Sequence, residues 1–187
     1  MTLFVSALNS EAKPLIELFK LSLVKDSNFK IFENNKLVLI ISGIGSINAA
    51  IATTYAINKF DITNTVNIGI CGSFDKSVNT GDIFDIKKVI NYQTHKVYHL
   101  KNLKRVAPAK TLYSFENPQN SPILKNSLAD MESIGFFLSA REFIDPKNIY
   151  ILKVVSDYID DKILTNKKVS SLIKKHNDLY IKILHEL

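Results

Sequence analysis

Residues 37–50 read LVLIISGIGSINAA. The apolar run Leu37–Ile41 has the length of a buried strand. Gly43-Ile44-Gly45 then turns the chain, and Ser46 opens an Ala-, Ile- and Thr-rich stretch of helical length that reaches Phe60. A strand that enters a helix through a glycine turn predicts one unit of an α/β sheet. Glycines let the backbone approach a ligand, and helix N-terminal N–H groups attract anions. The turn alone leaves two readings open: a dinucleotide or phosphate loop, and a plain strand-to-helix connection.

The flanking sequence extends the same pattern. Thr2–Leu8, Thr65–Ile70, Ile83–Ile90 and Tyr150–Val155 read as strands. Phe29–Phe32 and Leu37–Ser42 flank Asn34-Asn35 as a hairpin would. Helices are expected from Glu11 to about Leu23, capped by Asn9 or Ser10, over Ser46–Phe60, and over Ser133–Phe143, ended by Asp145-Pro146. A single closing helix is expected from Thr165. Residues 91–127, with Pro108, Pro118 and Pro122, are the least regular. Apolar strands alternating with helices predict an α/β fold over 1–187 as a single domain, with a mixed, largely parallel central sheet flanked by helices. Ligands of such sheets sit beyond the carboxyl ends of strands. Attention therefore falls on Asn9–Glu11, Gly43–Ser46, Gly69–Phe74 and Ser156-Asp157, and on Asp130-Met131-Glu132, which opens a helix.

Composition excludes several classes. The chain has 187 residues, 46% hydrophobic and 22% charged, and a net charge of +6. No apolar run is long enough to cross a bilayer. The start MTLFVSALNSEAK has no basic region before its apolar run, so no signal peptide is expected. The one cysteine, Cys71, cannot form an internal disulfide, which fits a reducing, cytoplasmic location. The positive charge is mostly scattered lysine, and the two arginines are Arg105 and Arg141. Nucleic-acid surfaces concentrate Arg and interleave aromatics, so a solvated lysine-rich surface and no nucleic-acid partner are expected. His95 and His99 are four apart, but Asn91–Leu100 alternates like a strand and no third ligand is evident, so no metal is expected. Cys71 has no identifiable partner base and reads as a small core residue.

As a dinucleotide fingerprint, GIG falls short, because Asn48 stands where the third glycine belongs. The acids say more. Glu132 is followed by IGFFLSA and is poorly placed for solvent, so it must be paired or hydrogen-bonded. Asp157 follows the strand YILKVVS, and Glu11 follows the first strand. Each alone is explained by helix capping or the helix dipole. Three acids at one sheet edge ask for more.

Five segments in order carry a resemblance: SALNSEAKPL, SGIGSINAA, NIGICGSF followed by GDIFD, LADMES, and KVVSDYID. Together they resemble the nucleoside phosphorylase/nucleosidase superfamily, and within it most the methylthioadenosine/S-adenosylhomocysteine nucleosidases. The resemblance implies that Glu11 is a general base activating water. It implies that Met131 packs on ribose while Glu132 accepts its hydroxyls, and that Asp157, beside Ser156, protonates the purine at N7. It places Ile44 near the sugar and the attacking water, and Gly72 in the turn that lines the substrate. An acid at Asp157 suits 6-amino purines. The implied substrates are adenine nucleosides such as methylthioadenosine, S-adenosylhomocysteine or aminodeoxyfutalosine. No cofactor is implied, and a homodimer is.

The chemistry requires such a set. A purine leaves ribose once negative charge on the ring is neutralised, so an acid must reach N7. The sugar then resembles an oxocarbenium ion, stabilised by a nearby carboxylate. Asp157 must therefore carry a proton while Glu11 stays ionised.

The chain departs from the family in places. Phosphorylases of this superfamily bind phosphate with arginines, and none lies near Gly43–Ser46 or Gly69–Phe74. Lys153 stands where nucleosidases often have an arginine that aligns the acids, keeping charge but not the guanidinium fork. The chain is short between its GDI and LADME segments. Phe115 or Tyr113 there could stack on the base, or simply pack under a loop. A phosphorylase, or a nucleoside-binding protein without catalysis, stays as an alternative.

Overall fold

The computed structural model describes residues 1–101, 103, 106–117, 124, 126–159 and 164–187. Along the chain run β1 (Thr2–Ser6), α1 (Asn9–Phe19), β2 (Ser22–Leu23), β3 (Lys30–Glu33), β4 (Leu37–Ile41), α2 (Ser46–Lys59), β5 (Asn64–Ser73) and β6 (Ile83–Asn91). They are followed by β7 (Val97–His99), β8 (Ala109–Ser114), β9 (Leu128–Asp130), α3 (Ser133–Ala140), β10 (Ile149–Asp157), α4 (Asn166–Lys174) and α5 (Asn177–Glu186).

The centre of the sheet is parallel, in the order β4-β1-β5-β10. Antiparallel pairs lie around it, including the expected β3–β4 hairpin at one margin and β10–β6 on the other side. Successive residues of the central strands face opposite layers, as the pleat requires. Leu3, Val5, Val38 and Ile40 pack into the layer that holds α2 and α3. Phe4, Leu37, Leu39 and Ile68 pack into the layer that holds α1, α4 and α5. Both faces are covered, which explains why these strands read as unbroken apolar runs.

β5 is long enough to pair with β1 and β10 along its length and with β9 at its end, through Gly72 and Ser73. β9 continues to β8, β8 to β6, and β6 back to β10. Five strands thus close a ring. This brings the end of β9, and the Asp130–Glu132 segment after it, beside the ends of β5 and β10.

Several boundaries differ from the sequence reading. The first helix stops at Phe19, because Lys20 adopts a left-handed φ of 51° and Ser22–Leu23 pairs with β3 at the sheet edge. The closing helix is two helices. His176 leaves the helical conformation, and its ring Nε2 lies 2.8 Å from the Gly81 carbonyl. The irregular region holds, among the described residues, the strands β7 and β8, and Asn91–Leu100 is not one strand, because His95 sits in a turn before β7 with φ 57°. Among the described residues no cluster of His, Cys, Asp and Glu could hold a metal. Pro118, Pro122 and Arg105 lie outside the described residues.

α2 and α3 cross unusually closely. A Cβ on Gly135 would lie 1.8 Å from the Ser46 carbonyl oxygen, so only glycine fits there. Ser139 Oγ also donates to the Ala50 carbonyl at 3.1 Å and lies 2.7 Å from Thr54 Oγ1. This crossing sets the start of α3 against the start of α2.

Candidate active site

A cavity of about 610 Å³ opens at the carboxyl ends of β1, β5 and β10. Eight of the nine residues singled out from the sequence line it: Glu11, Ile44, Gly72, Phe115, Met131, Glu132, Ser156 and Asp157. They come from widely separated segments, and sheet order together with the β5–β9 pairing brings them together.

Glu11 enters through the first turn of α1. Its Oε2 accepts the Ala7 and Leu8 N–H groups, both at 2.9 Å, and its Oε1 accepts the Ile70 N–H at 2.8 Å. The carboxylate is thus both the cap of α1 and a wall of the cavity. A carboxylate offers about four lone-pair sites, so roughly one stays available. Gly69 makes room for it, since a Cβ there would lie 2.8 Å from Oε1. Burial raises the Glu11 carboxyl above its ordinary value, against the pull of the Lys153 charge and the three N–H groups.

Glu132 is 8% exposed and satisfied as expected, because its Oε1 accepts the Gly45 N–H at 2.9 Å. The glycine turn therefore presents an amide to a carboxylate of the protein itself. Burial pushes the Glu132 carboxyl up to about 7, with Asp130 adding to the rise and Lys153 and Gly45 opposing it.

Asp157 closes β10. Ser156 Oγ lies 2.5 Å from Asp157 Oδ2 and 3.0 Å from the Cys71 carbonyl oxygen, and the Ile159 N–H donates to Oδ1 at 2.8 Å. Gly72 leaves space for this turn, as its Cβ would fall 2.6 Å from Ile159 Cγ1. Cys71 is buried beside it, and burial pushes its thiol up strongly, which fits a packing role. Phe115 is buried against Tyr92 and Phe74, with ring centroids 4.4 and 6.4 Å away. Tyr113 does not line the cavity.

Lys153 is placed differently from the sequence reading, which set it among the substrate contacts. It does not line the cavity but lies wholly buried beneath it, with Nζ 2.8 Å from Asp130 Oδ2. The reason is register: Lys153 pairs with Gly69 of β5 on one side and Phe84 of β6 on the other, in the middle of the sheet.

A family model described as Phosphorylase superfamily matches residues 3–117. The chain belongs to the phosphorylase superfamily. Within this superfamily it is similar to the 5′-methylthioadenosine/S-adenosylhomocysteine nucleosidase of Marinomonas sp. (strain MWYL1), at 38% identity over 61 residues. That match covers 33% of this chain and 26% of the relative. A protein of the same name from Staphylococcus aureus (strain JH9) is 45% identical over 53 residues, 28% of this chain and 23% of its own length. The chain thus matches about a quarter of the length of these curated relatives. In fold it is similar to the Neisseria meningitidis nucleosidase of that name in complex with methylthio-immucillin-A, with a TM-score of 0.83 at 18% identity, covering 100% of this chain and 99% of that one. The native futalosine hydrolase of Helicobacter pylori strain 26695 gives 0.83 at 15% identity, covering 100% and 97%.

The sequence reading pointed to the segments that hold Asp130, Ser46 and Gly69 without giving these residues a role, and it did not single out Gly135. Asp130 lines the cavity and pairs with Lys153. Its signal was an acid two residues before Glu132 at the end of an apolar strand, but nothing local names a partner 23 positions away. Ser46 Oγ donates to both Glu116 oxygens at 2.9 and 3.0 Å. Gly69 and Gly135 are required by atoms distant in sequence.

Proposed function

We propose that the chain is a purine nucleoside N-ribosyl hydrolase, releasing adenine from a 5′-modified adenosine such as methylthioadenosine, S-adenosylhomocysteine or aminodeoxyfutalosine. The observation that carries this reading is the convergence of Glu11, Glu132 and Asp157 on one cavity. Asp157 delivers a proton to purine N7, and the C1′–N9 bond breaks with its electron pair moving to the base. Ser156 Oγ donates to Asp157 Oδ2 and the Ile159 N–H to Oδ1, which fixes this carboxyl at the cavity wall. Glu132 holds the ribose hydroxyls, Met131 and Ile44 flank the sugar, and Phe115 stacks on the base. Glu11 takes a proton from the water whose oxygen bonds to C1′.

Phosphorolysis of the same bond is the second reading, and the cavity's anion positions speak against it. The N–H groups of Ala7, Leu8 and Ile70 are taken by Glu11, and that of Gly45 by Glu132. Glu116 sits on Ser46 at the start of α2. A phosphate dianion placed there would face carboxylates instead of donors. Chromatographic assay of base release from purine nucleosides, with and without phosphate, tests both readings: release independent of phosphate is expected, and strict phosphate dependence would overturn hydrolysis. Binding with no release over hours would favour a non-catalytic nucleoside-binding protein.

A homodimer in the cytoplasm belongs to the same proposal. Ile47 and Ile51 stand four apart on α2, 70% and 54% exposed, in line with Ile44 at the cavity mouth. A second copy covering this stripe would bury an apolar surface next to the substrate. Sedimentation of an Ile51→Asp variant as a smaller species than the parent supports it, and identical sedimentation counts against it.

A further inference from the structure

A second hollow, a groove of about 720 Å³, runs between α1 and α4. α1 presents Ser10, Lys13 and Glu17 to it, and α4 presents Lys167, Ser170 and Lys174. Both sets follow the i, i+3, i+7 spacing of one helix face. Two helices that close on each other carry apolar residues at such positions. Here the facing rows are polar and basic, while Val169 and Ile173 of α4 turn into the core. Three lysines stand against the single carboxylate of Glu17. That carboxylate lies 3.9 Å from Lys13 Nζ with both side chains well exposed, a pairing that contributes little. The groove is therefore a positive space beside the cavity.

Ser10 gives the groove its chemistry. It lines the groove, is 7% exposed, and its hydroxyl has no hydrogen-bond partner among the described residues. Its carbonyl, by contrast, accepts the Ser170 hydroxyl at 2.7 Å. A buried hydroxyl without a partner is costly, and an oxygen of a bound anion would supply the missing acceptor. Ser10 also lies in the first turn of α1, where the helix favours negative charge. The groove adjoins the active-site cavity. Leu8, just before α1, lines both, and Leu164, two residues before α4, lines the cavity. We infer that the α1–α4 groove is an anion subsite that takes the carboxylate end of a 5′ substituent on the substrate. The source of that carboxylate rests on the nucleosidase reading. With the base at Asp157 and Phe115 and the ribose at Glu132, the chain on C5′ leaves the cavity past Leu8. The Ser10 hydroxyl donates to the carboxylate, and Lys13, Lys167 and Lys174 balance its charge. An uncharged 5′ group gains nothing from these residues, so the substrate class narrows to adenosines with an acidic 5′ chain.

Two 5′-thioadenosines, one ending in a carboxylate and the other in the methyl ester of the same chain, isolate the charge. Base release and calorimetric binding are measured for both. In the parent the acid should show a KM about tenfold lower than the ester, with similar kcat. Lys167→Gln combined with Lys174→Gln should bring the two KM values within about twofold by weakening the acid alone. Both lysines are exposed, so the fold tolerates the change. Ser10→Ala should raise the KM of the acid by about threefold or more while leaving the melting temperature equal to the parent's or higher, because its hydroxyl has no partner to lose. A lower melting temperature with unchanged KM would assign the hydroxyl to the fold and count against the subsite. Equal KM and equal binding of acid and ester in the parent overturn the inference. If inorganic phosphate alone then shifts the Ser10 and Lys167 amide signals in NMR, the groove serves free anions instead. Tighter calorimetric binding of the acid with no base released leaves the inference standing and overturns the nucleosidase reading.

Discussion

The Gly45 N–H donates to Glu132 Oε1 across 2.9 Å, joining the glycine turn after β4 to the residue that opens α3. The two are 87 positions apart in sequence. Their approach depends on Gly135, in the first turn of α3, which lets that helix rest on the Ser46 carbonyl. Gly135→Ala therefore forces the two helices apart. Overpacking at such a contact should cost about 3 kcal/mol or more in urea unfolding, and it should raise KM by loosening Glu132. A stability within about 0.5 kcal/mol of the parent would show that the crossing relaxes freely.

Glu11→Gln tests the water-activating role. Base release should fall by about 10²–10⁴-fold, the usual contribution of a general base. The substituted amide must also turn its NH2 toward the Ile70 N–H or toward those of Ala7 and Leu8, which are donors already. A stability loss of about 1–3 kcal/mol should accompany the kinetic one. Full turnover in this variant removes Glu11 from the mechanism.

Asp157→Asn keeps the shape of the turn and an acceptor for the Ile159 N–H but has no proton to give to N7. Turnover on an adenine nucleoside should drop by at least about 10²-fold while a nucleoside analogue still binds in calorimetry. Retention of full turnover would end the general-acid assignment.

Gly69→Ala probes the same carboxylate from behind. The new methyl would meet Glu11 Oε1 at 2.8 Å, closer than carbon and oxygen tolerate. The carboxylate must shift, so kcat should fall by about 10-fold or more with a smaller change in KM, because a displacement near 1 Å can cost as much as 10²-fold. Equal kcat in parent and variant would mean that the precise seat of Glu11 does not matter.

Stability should fall as pH rises from about 4 to 7. Burial raises Asp85 from 3.8 to about 6 and Glu132 from 4.5 to about 7. The folded state thus holds protons that the unfolded chain has released. The stabilisation is complete below the unfolded values and disappears as pH climbs through the folded ones. Asp85 is wholly buried and accepts the Leu103 N–H at 2.7 Å, an interaction that Asp85→Asn retains. Denaturant titrations across this range should show a flatter decline for the variant, by on the order of 2 kcal/mol. Parallel curves for parent and variant would contradict the Asp85 contribution.

Much of the fold was written locally. The runs Leu37–Ile41 and Tyr150–Val155 are apolar throughout because both faces of the central sheet are covered, and a strand buried twice has no polar face to alternate. The glycine turn before Ser46 and the acids after strands were legible for the same reason, since a parallel sheet gathers the ends of its strands at one edge. What local patterning could not convey was competition between elements. Leu23 fits a helical stripe, yet Ser22–Leu23 is claimed by edge pairing with β3. The apolar stripe from Val169 to Leu184 keeps its period across the break at His176, because both helices press the same face of the sheet.

By itself the sequence determined an α/β sheet and which acids stand at the carboxyl ends of its strands, because strand burial and chain reversal leave marks in neighbouring residues. Only the tertiary structure decided how those acids are tuned. The ring of strands that closes through β5 and β9 brings Asp130 to Lys153, and the α2–α3 crossing brings Gly45 to Glu132. Ionisation in a buried cluster depends on distances between groups tens of positions apart, and no local pattern encodes such a distance.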